Sequence, residues 1–132
     1  MPIERPVPLP EEYELTYRVA AMPADTNYHG DIFGGWIMSQ VDIAGSVLAV
    51  REARGRVATV AVKEFRFIER VLVGDLVSCY TAISRLGHSS ITVKVEVYAS
   101  RQFDDPAVHR VAEAVLVYVA LDHEGRPRPV KR

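Results

Sequence analysis

One cysteine, Cys79, is all that this chain of 132 residues contains. An internal disulfide is therefore excluded, and a reducing, cytoplasmic setting is expected. Four histidines, His29, His88, His109 and His123, are too scattered to share a metal with one another or with Cys79, so no metal is expected. An excess of one charge is also missing: 16 basic and 17 acidic residues leave a net charge of −1. Such a balance points to neither nucleic acid nor a membrane surface as partner. The N-terminal residues lack the apolar core of a secretory signal. No Gly-x-Ser-x-Gly elbow occurs, so serine-hydrolase chemistry has no support. The long apolar stretch over 32–50 is broken by Gly34, Gly35, Gln40, Asp42 and Gly45, which suits a buried helix better than a membrane span.

What is present is ordinary for one globular domain: 48% hydrophobic and 25% charged residues. Prolines mark residues 1–12 as an extended lead-in. The segment 13–21 reads as a strand and 22–33 as a loop, with Pro23, Asn27 and Gly30 as breakers. From 34 to about 53 the residues Ile37, Val41, Ala44 and Leu48 recur at the helical period, and Gly55 is expected to end the helix. Thereafter the period is two. Ile91, Val93, Val95 and Val97 share one strand face, and similar alternation runs through 57–68, 76–86 and 111–121. Turns are expected at 73–75, 86–88 and 104–106. The polar segment 122–132 is expected to fray. The domain is placed at 13–125, with a tail at 126–132.

This order predicts an α+β fold in which an antiparallel meander of long strands, about five in all with the first, wraps one central helix. The helix is apolar nearly all round, so it needs cover on two sides. The sheet supplies one side and a second copy of the chain the other.

The candidate chemistry lies between Asn27 and Asp42. Asp42 is the sole charged residue of 32–50. It is either a structural aspartate satisfied by Ser39 and Ser46 or a carboxylate that activates water or attacks directly. Gly34 and Gly35 either permit close packing or leave helix N-terminal amides open to an oxyanion. Asn27 is a turn residue or an amide that orients water or a carbonyl oxygen. His29 is a secondary candidate on the same loop. Ser89 and Ser90 follow a Gly-His turn; they form a plain hairpin, the first reading, or hold an amide-bearing ligand. Arg66 and Arg70 are among scattered basic residues open to phosphate. Asp42 stands about two turns beyond the glycines, roughly 10–12 Å along the helix. One reacting group hardly spans that distance, so if both features act on one carbonyl they should come from different copies of the chain, laid antiparallel.

The residues Ala21-Met22-Pro23-Ala24-Asp25-Thr26-Asn27, Gly30-Asp31-Ile32-Phe33-Gly34-Gly35-Trp36, Met38-Ser39-Gln40 and Asp42 resemble those of the YciA-like acyl-CoA thioesterases of the hotdog-fold superfamily. The resemblance extends from about Tyr13 to Gly125. It implies hydrolysis of acyl-CoA to free CoA and a carboxylic acid, with coenzyme A as part of the substrate and no separate cofactor. It implies a catalytic role for Asp42 and Asn27, a carbonyl polarised at Gly34 or Gly35, and a pantetheine arm at Ser89 and Ser90. His29, Phe33, Arg66 and Arg70 complete the expected substrate contacts. Members form dimers and commonly trimers of dimers. Two departures are Tyr28-His29, where smaller residues are frequent, and Arg70, where proline is usual. Two alternatives accompany this reading. A hydroxyacyl-thioester dehydratase would need an acid–base pair, for which His29 is the only nearby histidine. A non-catalytic acyl-CoA-binding protein would normally carry an output module, for which the chain has no room.

Overall fold

The computed structural model describes residues 12–101 and 105–131. The expected lead-in falls, but for Glu12, outside them. Strand β1 (Glu14–Ala20) leads through a single 3-10 turn (Pro23–Asp25) to helix α1 (Gly34–Ala53). Four strands follow: β2 (Val57–Phe67), β3 (Leu76–Leu86), β4 (Ser90–Arg101) and β5 (Asp105–Ala120). They form one antiparallel sheet in the order β1-β3-β4-β5-β2.

The helix lies against one face of that sheet. Ile37, Val41, Ala44 and Leu48 are buried, as their period requires, against Val93, Val95, Val97 and Leu116 among others. Alternation places Ile91, Val93, Val95 and Val97 on this inner face, as expected. At β1, Thr16 Oγ1 donates to the Ala44 carbonyl over 3.0 Å and ties the helix to that edge.

Three expectations need correction. The last four strands are not a simple meander. Strands β3, β4 and β5 pair in succession, but β2 pairs with β5 at the far edge. After β2 the chain passes the start of the helix, where Ile32 N–H bonds the Val71 carbonyl at 3.1 Å, and it enters β3 beside β1. Periodicity identifies a strand but not its neighbour, and the connection over 68–75 is a crossing rather than a hairpin. The turn expected at 104–106 lies partly outside the described residues, and β5 already begins at Asp105, paired with Arg101. The tail does not fray. Leu121 and Pro127 form a bridge, Arg128 N–H bonds the Ala120 carbonyl at 2.9 Å, and Val130 N–H bonds the His88 carbonyl at 2.9 Å. These backbone bonds hold a polar segment that composition alone marks as loose.

The helix ends at Ala53, as expected. Arg54 takes the left-handed conformation, with φ of 53° and its N–H on the Val50 carbonyl, and Gly55 N–H reaches the same oxygen at 3.3 Å. Along the side of α1 away from the core, Met38, Ile43, Val47 and Val50 are exposed. The edge strand β2 likewise exposes Val60, Val62 and Phe67. A sheet edge and an apolar helix stripe left uncovered together are the features that a second chain covers.

Candidate active site

The loop before the helix is organised by Asn27. Its Oδ1 accepts the N–H groups of His29 (2.9 Å) and Asp31 (3.2 Å), while its own N–H bonds the Asp31 carbonyl at 2.7 Å. Gly30, with φ of +82°, makes the reversal possible. The acceptor end of Asn27 is thus committed to the loop, and its NH2 group makes no hydrogen bond among the described residues. Asn27 is exposed.

Phe33 caps the helix without a side-chain hydrogen bond; its carbonyl accepts Trp36 N–H at 3.0 Å. The amides of Gly34 and Gly35 therefore open the helix with no intrahelical acceptor, at the positive end of its dipole. Gly35 has a second reason to be glycine: a Cβ there would lie 2.6 Å from the Phe33 ring. A Cβ on Gly34 would meet the Phe67 ring at 3.4 Å. Asn27, Gly34 and Arg70 line one recess of about 310 Å³, together with apolar Ile37, Phe67 and Val71. These donors and an apolar wall in one recess suit a carbonyl joined to a hydrocarbon chain.

Asp42 opens on a different recess, of about 240 Å³, with Met38, Ser39, Thr59, Val62 and Phe65. Its carboxylate is half-buried, and Oδ1 accepts the Thr59 hydroxyl at 2.6 Å. The Tyr118 hydroxyl also lies within side-chain hydrogen-bonding reach of this carboxylate. The serines offered as its partners are engaged elsewhere: Ser39 Oγ bonds the Gly35 carbonyl and Ser46 Oγ the Ile43 carbonyl. The Asp42 carbonyl accepts the Tyr118 hydroxyl at 2.8 Å. Burial first, then the Asp42 charge, then a side-chain hydrogen bond to Asp42 push the Tyr118 phenol above its ordinary range, which keeps it a donor.

Sequence reasoning missed Thr59 and Tyr118. Only the pairing of β2 with β5, which sets the two residues opposite each other, brings both to Asp42. A single signal was available: Gly45, a glycine in a helix interior, is where the Tyr118 hydroxyl fits.

The remaining candidates divide. Arg70 lines the Asn27 recess; its guanidinium lies 3.5 Å from Asp31. Its carbonyl accepts Arg101 Nη2 at 2.9 Å, and Arg101 is paired with buried Asp75 at 3.3 Å. The main chain at Arg70 is thereby fixed while its side chain stays exposed. Phe33 is exposed and borders a recess with Gly35 and Trp36. His29 is exposed on the loop. Arg66 pairs with Glu113 at 2.7 Å, across from it on β5. Phe65 packs on the core and Phe67 lies against Gly34, so alternation turns Arg66 to the opposite face, away from both recesses of its own chain. Ser89 and Ser90 occupy the turn into β4, where the Ser89 carbonyl accepts Ala120 N–H. Ala120 pairs with Val57 just past the end of the helix, so the serines lie near its C-terminal end. A single chain does not bring them to Gly34, because a 20-residue helix is about 30 Å long.

A family model for the thioesterase superfamily matches residues 29–102. The acyl-CoA thioester hydrolase YciA of Salmonella typhimurium is 48% identical over 119 residues, covering 89% of this chain and 90% of that protein. A hexameric thioesterase from Yersinia pestis superposes with a TM-score of 0.85 at 48% identity, covering 94% of this chain and 99% of that one. A hexameric hotdog-fold thioesterase of Campylobacter jejuni superposes with a TM-score of 0.85 at 39% identity, over 88% and 89% of the two chains. One helix embraced by five antiparallel strands is the hotdog fold.

Proposed function

The chain belongs to the thioesterase superfamily, and on that premise we propose that it hydrolyses acyl-CoA thioesters to CoA and a carboxylic acid at sites shared by two copies. The observation that carries this reading is the division of the chemistry. Carbonyl donors lie in one recess, at Asn27 and Gly34, with Gly35 on the neighbouring one, and a held carboxylate lies in another, at Asp42. Neither recess is complete by itself. Two copies related by a two-fold axis, with helices antiparallel and the exposed Ile43, Val47 and Val50 covered, bring Asp42 of each to the Gly34 end of the other. Three such dimers in a hexamer accord with the hexameric relatives.

In the proposed reaction the thioester oxygen receives the free helix amides and the Asn27 NH2. These donors strengthen as charge grows on that oxygen. Oδ2 of Asp42 takes a proton from water, whose oxygen attacks the carbonyl carbon; alternatively, Oδ2 attacks and water opens the resulting anhydride. The C–S bond breaks as the tetrahedral intermediate collapses, and CoA departs as a thiolate. A thiolate leaves readily, so no strong acid is required. Arg70, at the rim of the Asn27 recess, is the best-placed basic candidate for an anionic part of the substrate. Coenzyme A enters as substrate and leaves as product, with no other cofactor, and the setting is the cytoplasm. The dehydratase alternative is less favoured, since His29 is exposed on the loop and forms no hydrogen bond with a carboxylate among the described residues.

The test is release of free thiol from short-, medium- and long-chain acyl-CoAs, followed with a chromogenic disulfide. Release from at least one series is expected; none from any would refute the hydrolase reading. Cys79 does not interfere. It is fully buried, and burial pushes its thiol up to about 12. The native protein is expected to show no reactive thiol, and one per chain should emerge in denaturant. A thiol titrating rapidly in native buffer would contradict the buried placement.

A further inference from the structure

We propose that Tyr118 is a positioning residue for Asp42, seated by the absence of a side chain at Gly45; this rests on the thioesterase reading above. Thr59 and Tyr118 face each other across the β2–β5 pair. Both hold the same helical residue. Thr59 donates to the Asp42 carboxylate at 2.6 Å, and Tyr118 donates to the Asp42 carbonyl at 2.8 Å. One grip sets the carboxylate's rotation, and the other sets the height of its helix turn above the sheet.

The Tyr118 bond is not one the helix needs. An interior carbonyl already has its intrahelical N–H partner, so the phenol is a second donor. The hydroxyl carries a burial penalty that phenylalanine would avoid. Gly45 adds to that expense, because glycine in a helix interior is less stable than alanine. It is nonetheless required here: a Cβ on Gly45 would stand 2.3 Å from Tyr118 Oη. Two locally unfavourable residues thus combine in one contact, and the contact falls on the carboxylate-bearing residue. Phenylalanine would fill the same space without the buried hydroxyl, although a Cβ on Gly45 would still stand 3.0 Å from the ring Cζ, so the glycine serves the ring as well as the hydroxyl. The pair makes sense as a device that fixes where Oδ2 points, to which a base or nucleophile is sensitive.

The experiment measures kcat and KM for thiol release, with melting curves on the same preparations. The proteins are wild type, Tyr118→Phe, Thr59→Val, the double variant, Gly45→Ala alone and with Tyr118→Phe, and Asp42→Ala. Tyr118→Phe keeps the ring and is expected to lower kcat about tenfold with KM within about twofold. The double variant with Thr59→Val should lose little beyond the worse single variant, because both act through one carboxylate. Gly45→Ala should reproduce the kcat loss; in the Tyr118→Phe background its Cβ still stands 3.0 Å from the ring Cζ, so a further loss of melting temperature is expected there. Wild-type kcat in folded Tyr118→Phe, a change in KM alone, or losses of Tyr118→Phe and Thr59→Val that multiply would overturn the proposal. Should Gly45→Ala not fold, the Tyr118→Phe and Thr59→Val pair decides. A wild type that releases no thiol overturns the thioesterase reading and this proposal together. Release abolished by Asp42→Ala but untouched by Tyr118→Phe overturns the proposal alone.

Discussion

Asp42→Ala is expected to lower kcat by about three orders of magnitude, with KM changed by less than about threefold. The carboxylate is half-buried, with one oxygen accepting from Thr59. Thr59 therefore orients the group through one of its two oxygens. Removing the carboxylate leaves the carbonyl donors at Gly34, Gly35 and Asn27 intact, so the substrate still binds and its oxygen is still polarised. What disappears is the group that takes the water proton or attacks the carbonyl, a role worth about 10²–10⁴ in rate. Asp42→Asn keeps the shape and can still accept from Thr59, so its loss should be nearly as large if charge is what matters. Steady-state thiol release against acyl-CoA concentration measures both. A kcat above about a tenth of wild type in Asp42→Ala would show that the reaction proceeds without this carboxylate.

Arg128→Ala is expected to lower the free energy of unfolding by about 3 kcal/mol. The Arg128 residue is only 9% exposed. Its guanidinium donates to the carbonyls of Ala53 (2.8 Å), Leu121 (3.1 Å) and Pro129 (2.9 Å). Ala53 is the last residue of the helix, and the final carbonyls of a helix have no intrahelical donor. A buried cation there also meets the negative end of the helix dipole. Alanine would leave several buried carbonyls unpaired and a cavity between the tail and the helix end. Lysine keeps the charge but not the planar fork, so Arg128→Lys should fall between the two. Urea unfolding at matched protein concentration reads the difference. A loss below about 0.5 kcal/mol in Arg128→Ala would mean that the tail contributes nothing to the fold.

Arg128 also shows where sequence reading stops. Composition marks 122–132 as loose because its residues are polar, but its order comes from carbonyl acceptors elsewhere in the chain, which composition does not encode. Local patterns fared better. The helix Gly34–Ala53 and the strand Leu76–Leu86 have the boundaries that their periods indicate, because each is defined by its own residues. The place of β2 was hidden, since pairing with β5 joins segments far apart in the chain. Thr59 and Tyr118 were hidden for the same reason: each is unremarkable until the register sets them side by side beneath Asp42. Asn27 was legible as a loop residue, and the structure narrows it further. Its oxygen serves the turn, so only its NH2 remains for a ligand. Arg66 was named by charge alone, and charge says nothing about which sheet face a side chain occupies.

The claim that the site is shared between chains has a direct test. Asn27→Ala and Asp42→Ala protomers, each nearly inactive, are mixed and allowed to exchange subunits. Random exchange makes half the dimers mixed, and each mixed dimer regains one intact site of its two, so thiol release should recover to about a quarter of the wild-type rate. A mixture no more active than its two parents, with exchange verified, would place both residues in a site built by one chain and contradict the shared site.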